Sequence, residues 1–189
     1  TCSFNVVVDD CENPTIDVCP ADILATANIS ACENEQTLTA PIVLDNCSDP
    51  ADIVISYRVF NPHNSVTALL PGTILTYTFQ SGTSIVEWVV EDEAGNTSSC
   101  SQQVTINENS PVVSAGDDEE ICISTSPYTL AGSASNSTNV LWSTSGTGTF
   151  DDATSLTAEY TPSAADLNDG QIQLTLTASN ACGSVSDQM

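Results

Sequence analysis

Apolar and polar residues alternate along this chain in short runs, each closed by turn-forming residues. Residues 53–60 set Ile53, Ile55, Tyr57 and Val59 against Val54, Ser56, Arg58 and Phe60. Residues 4–8, 74–79, 85–90 and 103–106 are runs of the same kind, and after Pro111 come 128–130, 140–142, 157–160 and 172–178. A strand turns successive side chains to opposite faces, so a period of two buries one face and wets the other. The apolar set is rich in β-branched residues, which favour strands, and helix signals are nearly missing. The pattern predicts an all-β chain built of sandwiches.

The segment Asn107-Glu108-Asn109-Ser110-Pro111 is polar and ends in proline, which marks a boundary. Asp9-Asp10-Cys11-Glu12-Asn13-Pro14 is a similar junction. Upstream of each lies a matching strand opening, Thr1-Cys2-Ser3 in one case and Ser99-Cys100-Ser101 in the other. The expected organisation is therefore a piece of a tandem array in a longer secreted protein. Residues 1–12 would be the last strand and linker of a preceding repeat. Residues 13–108 would form one immunoglobulin-like sandwich, and 109–189 a second, truncated at its C-terminal end. Asp92-Glu93-Ala94-Gly95-Asn96 reads as a hairpin turn, and Ser145 to Thr149 as a tight turn.

Charge narrows the function. Asp and Glu number 25 against a single Lys/Arg, for a net charge of −24. Binding to nucleic acid by phosphate neutralisation needs clustered cations, so it is excluded, and anionic lipid is disfavoured in the same way. No apolar run approaches the length of about 18 residues that a membrane span requires, so no membrane insertion is expected. With one histidine, His63, and one arginine, Arg58, little material exists for acid–base or nucleophilic catalysis. A carboxylate pair of the glycosidase kind would need a cleft that two small sandwiches do not offer. The chain is expected not to be an enzyme.

Eight cysteines stand at irregular spacings without a Cys-x-x-Cys pair. Zinc sites and thioredoxin-type sites need such pairs, so disulfides formed in an oxidising compartment are the reading. The carboxylates suggest calcium, whose hard oxygen ligands they can supply. Candidates are Asp9, Asp10 and Glu12, then Glu91 and Asp92, then Glu108 and Asn109 in the linker with Asp117 and Asp118 shortly after. No dedicated loop motif is present, and the alternative is that these are solvated charges that keep the chain soluble. Trp88 and Trp142 lie inside strand patterns and are expected in cores. Phe60 and Phe150 are the candidates for an exposed sugar contact. His63 falls in a turn, and Arg58 is expected to pair with a carboxylate nearby.

Residues 13–107 resemble the hyalin-repeat (HYR) family of immunoglobulin-like domains. The residues that carry this are Cys19-Pro20-Ala21-Asp22-Ile23, Asp45-Asn46-Cys47, the stretch from Val86 through Trp88 to Asp92-Glu93-Ala94-Gly95-Asn96, and Cys100. Residues 111–189 resemble the PKD-like/Ig-like repeats of giant surface adhesins of gliding Bacteroidetes. Here the residues are Val113-Ser114-Ala115-Gly116-Asp117-Asp118, Ile121-Cys122, the run from Val140 through Trp142 to Phe150, Tyr160-Thr161-Pro162-Ser163 and Cys182-Gly183-Ser184. The resemblance implies type IX secretion, display on the outer cell surface, and a part in adhesion during gliding motility. It also implies a Cys19–Cys100 disulfide. With that pair set, Cys32–Cys47 is expected to close a short loop. Cys122–Cys182 would join the two cysteines of the second domain. Cys2–Cys11 is left over, unless Cys2 bridges back to a preceding repeat. Partners would then be neighbouring repeats of the same chain and an external surface or polysaccharide. A carbohydrate-binding accessory module of a secreted enzyme is the alternative function.

Overall fold

Strand β8, Gly82–Glu91, shows how the alternation becomes a core. Ser84, Val86, Trp88 and Val90 are buried, while Glu91 and Ile85 on the opposite face are exposed. A computed structural model describes residues 9–121 and 127–189. It divides them into two compact units. The first comprises the chain up to Thr26 together with Glu33–Asn107, and the second Ala27–Cys32 with Glu108–Met189. The fold is nearly all-β, with sandwich-type sheets.

In the first unit the other strands are β1 (Thr15–Val18), β2 (Ile23–Thr26), β3 (Glu33–Thr39) and β4 (Ile42–Leu44), then β5 (Val54–Phe60), β6 (Leu70–Pro71), β7 (Ile74–Gln80) and β9 (Thr97–Asn107). The main sheet has the order β2-β9-β8-β5-β6, with β2 parallel to β9 and the remaining pairs antiparallel. Strands β3 and β7 form a second sheet, and β1 and β4 a short third one. Leu38, Val59, Leu75, Phe79, Val86, Trp88, Val104 and Ile106 are buried. Burying side chains of this size contributes roughly 1.5–3 kcal/mol each. The buried Gln102 is satisfied on both sides. It accepts from Trp88 Nε1 at 3.4 Å and donates to the Ala21 carbonyl at 2.6 Å. Arg58 sits opposite Glu87 in the register, pairs with it, and lies 5.2 Å from the centre of the Phe60 ring.

The second unit contains β10 (Val112–Ser114), β11 (Tyr128–Thr129), β12 (Ser133–Ser135), β13 (Asn139–Thr144), β14 (Thr149–Phe150), β15 (Glu159–Thr161), β16 (Leu174–Asn180) and β17 (Gly183–Gln188). Its sheets run β13-β16-β17, β11-β15-β14 and β10-β12. Trp142, Leu130, Tyr160, Leu174 and Leu176 make its core, with Ala115 and Ala158. Strand alternation did not announce the one helix among the described residues, α1 (Ala164–Asp169). It is held by a capping box, in which Ser163 accepts from the Asp166 N–H and Asp166 accepts from the Ser163 N–H.

Asp166 is only 5% exposed and carries a charge, so it must be hydrogen-bonded. It accepts from Thr147 N–H at 2.8 Å, Ser163 N–H at 2.9 Å and the Tyr160 hydroxyl at 2.8 Å. The Thr147 and Ser163 amides hold its carboxyl far below the usual carboxylate range. Where a tight turn was expected at 145–149 the chain bends at 145–147, which places Thr147 N–H on Asp166. A Cβ on Gly146 would strike Asp166, and one on Gly148 would strike Tyr160 and the Thr161 carbonyl.

The disulfides depart from the expected pairing. Cys19–Cys100 is present, with its Cα atoms 6.1 Å apart. Cys32 joins Cys182, at a Cα separation of 4.8 Å, so the structure replaces both Cys32–Cys47 and Cys122–Cys182. The reason is local. Residues 27–32 belong to the second unit, where the Ala181 N–H donates to the Ile29 carbonyl at 3.0 Å and sets the 180–183 turn beside Cys32. A single cut near residue 108 therefore misses that six-residue stretch. Cys11 and Cys47 are exposed residues and form no disulfide among the described residues. Cys2 and Cys122 lie outside the described residues, and so does the strand expected at 4–8.

Two outcomes follow for the second unit. Gly148→Ala should lower its stability by about 1–3 kcal/mol, the usual cost of forcing an atom into a filled site, read as a lower urea midpoint. Asp166 titrates lower in the folded state than in the unfolded one, so its stabilisation is complete above the unfolded value and is lost as pH falls through it toward the folded one. Melting followed from about pH 6 down to pH 2 should show that loss begin below roughly pH 4. In Asp166→Asn that part of the pH dependence should vanish.

Candidate functional site

Three loops at one region of the first unit bring carboxylates together. Asp10 precedes β1, Asp45 lies in the loop after β4, and Asp92 opens the hairpin turn between β8 and β9. One carboxylate oxygen from each lies within 4.8 Å of the others. Asp92 is 4% exposed, and Asp10 and Asp45 are half-buried.

Each loop is shaped by its own acid. Asp45 Oδ1 accepts from Ser48 N–H at 2.6 Å and Cys47 N–H at 3.0 Å. Those two amides, Ser48 first, hold its carboxyl below the usual range, so it stays ionised. Asp92 accepts from the Asn96 backbone N–H and from the Asn96 side chain, each at 2.8 Å. The predicted hairpin turn is closed by Gly95 N–H to the Asp92 carbonyl at 3.2 Å, with Gly95 at a φ of 88° that glycine adopts without strain. Asn96 also reaches the Asp10 carbonyl at 3.3 Å, which ties the hairpin to the entering chain. Asp10 Oδ1 accepts from Glu12 N–H at 3.1 Å, and the Cys47 thiol lies within hydrogen-bonding reach of the same carboxylate.

Neighbouring Cys47 reports the field of the site. Removal of water around its thiol, then the charges of Asp10, Asp45 and Glu12, push it above its ordinary value, so it stays a neutral thiol.

Of the residues expected to hold calcium, the structure brings only Asp10 and Asp92 together. Asp9, Glu12, Glu91, Glu108, Asp117 and Asp118 are exposed and stand outside the group, and Asn109 gives its carbonyl to the Asn180 side chain at 2.6 Å. Asp45 was missed because its place is set by the sheet and not by any spacing to Asp10 or Asp92. The sugar-platform expectation meets filled cores. Trp88 and Trp142 are buried at 0% and 2% exposure. Phe60 and Phe150 are half-buried, the first beneath Arg58 and the second packed 5.0 Å from Tyr160. His63 is exposed in its turn. Among the described residues no helix is long and apolar enough to cross a membrane.

No family model matches the sequence, and no curated protein matches it. Among solved structures, the chain is similar to the human desmocollin-1 ectodomain, at 10% identity and a TM-score of 0.39 over 96% of this chain and 37% of that one. The insect immune protein hemolin is similar at 13% identity and a TM-score of 0.37, over 93% of this chain and 45% of that one. The glucan-utilisation protein SGBP-B of Bacteroides ovatus, solved with a mixed-linkage heptasaccharide, is similar at 16% identity and a TM-score of 0.34, over 93% and 47%. The chain thus spans less than half the length of these three structures. What the structure itself defines is an all-β chain with sandwich-type sheets and two disulfides.

Asn96 is the organising side chain of the acidic region. Asn96→Ala leaves the buried Asp92 carboxylate short of a donor and should cost the first unit about 1.5–3 kcal/mol, the range for hydrogen bonds to charged groups, measured by urea unfolding.

Proposed function

We propose that this chain is a non-catalytic, load-bearing repeat segment of a secreted surface adhesin. One observation carries the reading: the Cys32–Cys182 bridge closes a loop with a sequence separation of 150. Force applied upstream of Cys32 and downstream of Cys182 then passes from one cysteine straight to the other. Everything between them, including β3 to β9 and nearly all of the second unit, is shielded from the pull. Cys19–Cys100, at a separation of 81, closes an overlapping loop. A segment wired in this way keeps its length under tension, which is what a spacer in a surface filament needs. The abundant carboxylates give each segment a negative field that holds neighbours apart. Disulfides of this kind belong to proteins that mature in an oxidising compartment.

The finer reading is that the segment pairs an HYR-like unit with a PKD-like one. It would be exported by type IX machinery, displayed on the outer surface, and would serve adhesion in gliding. The motifs at Cys19 to Ile23, 86–96 and 140–150 support it.

Single-molecule stretching by tags fused beyond both ends tests the load-bearing role. The oxidised chain should show no long unfolding step. Reduction should release roughly 500 Å of additional contour, from 150 residues at about 3.3–3.6 Å each. Equal extension in both redox states would overturn the proposal.

A further inference from the structure

We propose that Cys11 and Cys47 are a redox pair that oxidises to a further disulfide within the first unit. This inference stands apart from the load-bearing role, which rests on Cys32–Cys182. Both residues belong to the first unit, both are exposed, and neither is bridged among the described residues. An oxidant in solution can therefore reach them.

The fold sets the two side by side. Strand β1 pairs with β4, with Thr15 opposite Leu44, and the chain runs on from that pair to Cys11 on one side and to Cys47 on the other. The residues flanking Cys11 close the gap. The Asp10 carboxylate lies within hydrogen-bonding reach of the Cys47 thiol, and Asn46 Nδ2 donates to Glu12 Oε2. A disulfide needs Cα atoms about 4.4–6.8 Å apart, and paired strands lie about 4.7–4.9 Å apart, so segments running on from a strand pair are within its reach. Cys11 Sγ has only a loose contact, 3.9 Å from the Asp9 carbonyl oxygen, and is free to turn.

A second observation shows what the bridge would do. The β1–β4 sheet has two short strands, and its Val18, Ile42 and Leu44 stay exposed. A two-stranded pair with so little apolar burial is weakly held. Joining Cys11 to Cys47 closes its open end covalently.

The oxidant is a disulfide, small or protein-borne, of the compartment in which the chain matures. The thiolate of one cysteine attacks the donor S–S bond, forms a mixed disulfide and expels the first donor thiolate. The thiolate of the other attacks the cysteine sulfur of that mixed disulfide, forms Cys11–Cys47 and expels the second. Two electrons pass to the donor, and the protons shed by Cys11 and Cys47 are matched by those taken up on its two sulfurs. Loss of water around Cys47, then the charges of Asp10, Asp45 and Glu12, keep its thiol neutral, so exchange quickens in alkaline solution.

The test is incubation of the intact chain with oxidised and reduced glutathione at about pH 8.5, alkylation of the remaining thiols, and peptide mapping without reduction. Cleavage before aspartate leaves Cys11 in residues 10–16, Cys47 in 45–48 and Cys32 in 22–44, so each pairing has its own mass. The expected product joins 10–16 to 45–48. In Cys11→Ser, Cys47 should become alkylated. The proposal is overturned if Cys11 and Cys47 are both alkylated in the parent, if either is joined to another cysteine or to glutathione, or if Cys47 stays bridged in Cys11→Ser.

Discussion

A chain with 25 carboxylates and one arginine cannot neutralise its acids by ion pairing, and the structure is organised around that shortage. Backbone amides take the place of cations. Asp166 receives Thr147 and Ser163, Asp45 receives Cys47 and Ser48, Asp22 receives Gln103, and Asp187 receives Ala115. Each of these contacts turns a charge into a clamp on a loop. A hydrogen bond to an ionised acceptor is about twice as strong as a neutral one, so acids act here as the fasteners of turns and strand ends.

Cross-links do the complementary work. The two cores are small, and each rests on one tryptophan with a modest set of aliphatic neighbours. In domains of this size, covalent closure of long loops is a common substitute for a larger apolar core. On the load-bearing reading proposed above, force between the ends of the chain bypasses the segment between Cys32 and Cys182.

Much of the fold was legible in the alternation of side chains. The runs at 53–60, 74–79, 85–90 and 103–106 became β5, β7, β8 and β9, because a two-residue period with β-branched residues has one way to bury its apolar face. The turn at Asp92 to Asn96 was equally readable from Gly95. Short edge strands such as β1, β4 and β10 were not foreseen. Val18, Ile42, Leu44 and Val112 stay exposed there, so no amphipathic signal exists to read. The helix α1 was hidden in the same way. Six residues are too few to show a helical period, and only the Ser163–Asp166 pair hints at it.

Composition and periodicity by themselves determined the all-β class, the burial of Trp88 and Trp142, and the use of disulfides. These depend on residue type and on near neighbours in sequence. Which cysteine meets which, and which three of many acids converge, depends on strand pairings between distant segments. Asp10, Asp45 and Asp92 meet because β1 pairs with β4 and β8 turns into β9. Cys32 meets Cys182 because a six-residue stretch folds with the second unit. Contacts of that range are set by packing of whole elements, and tertiary structure alone decided them.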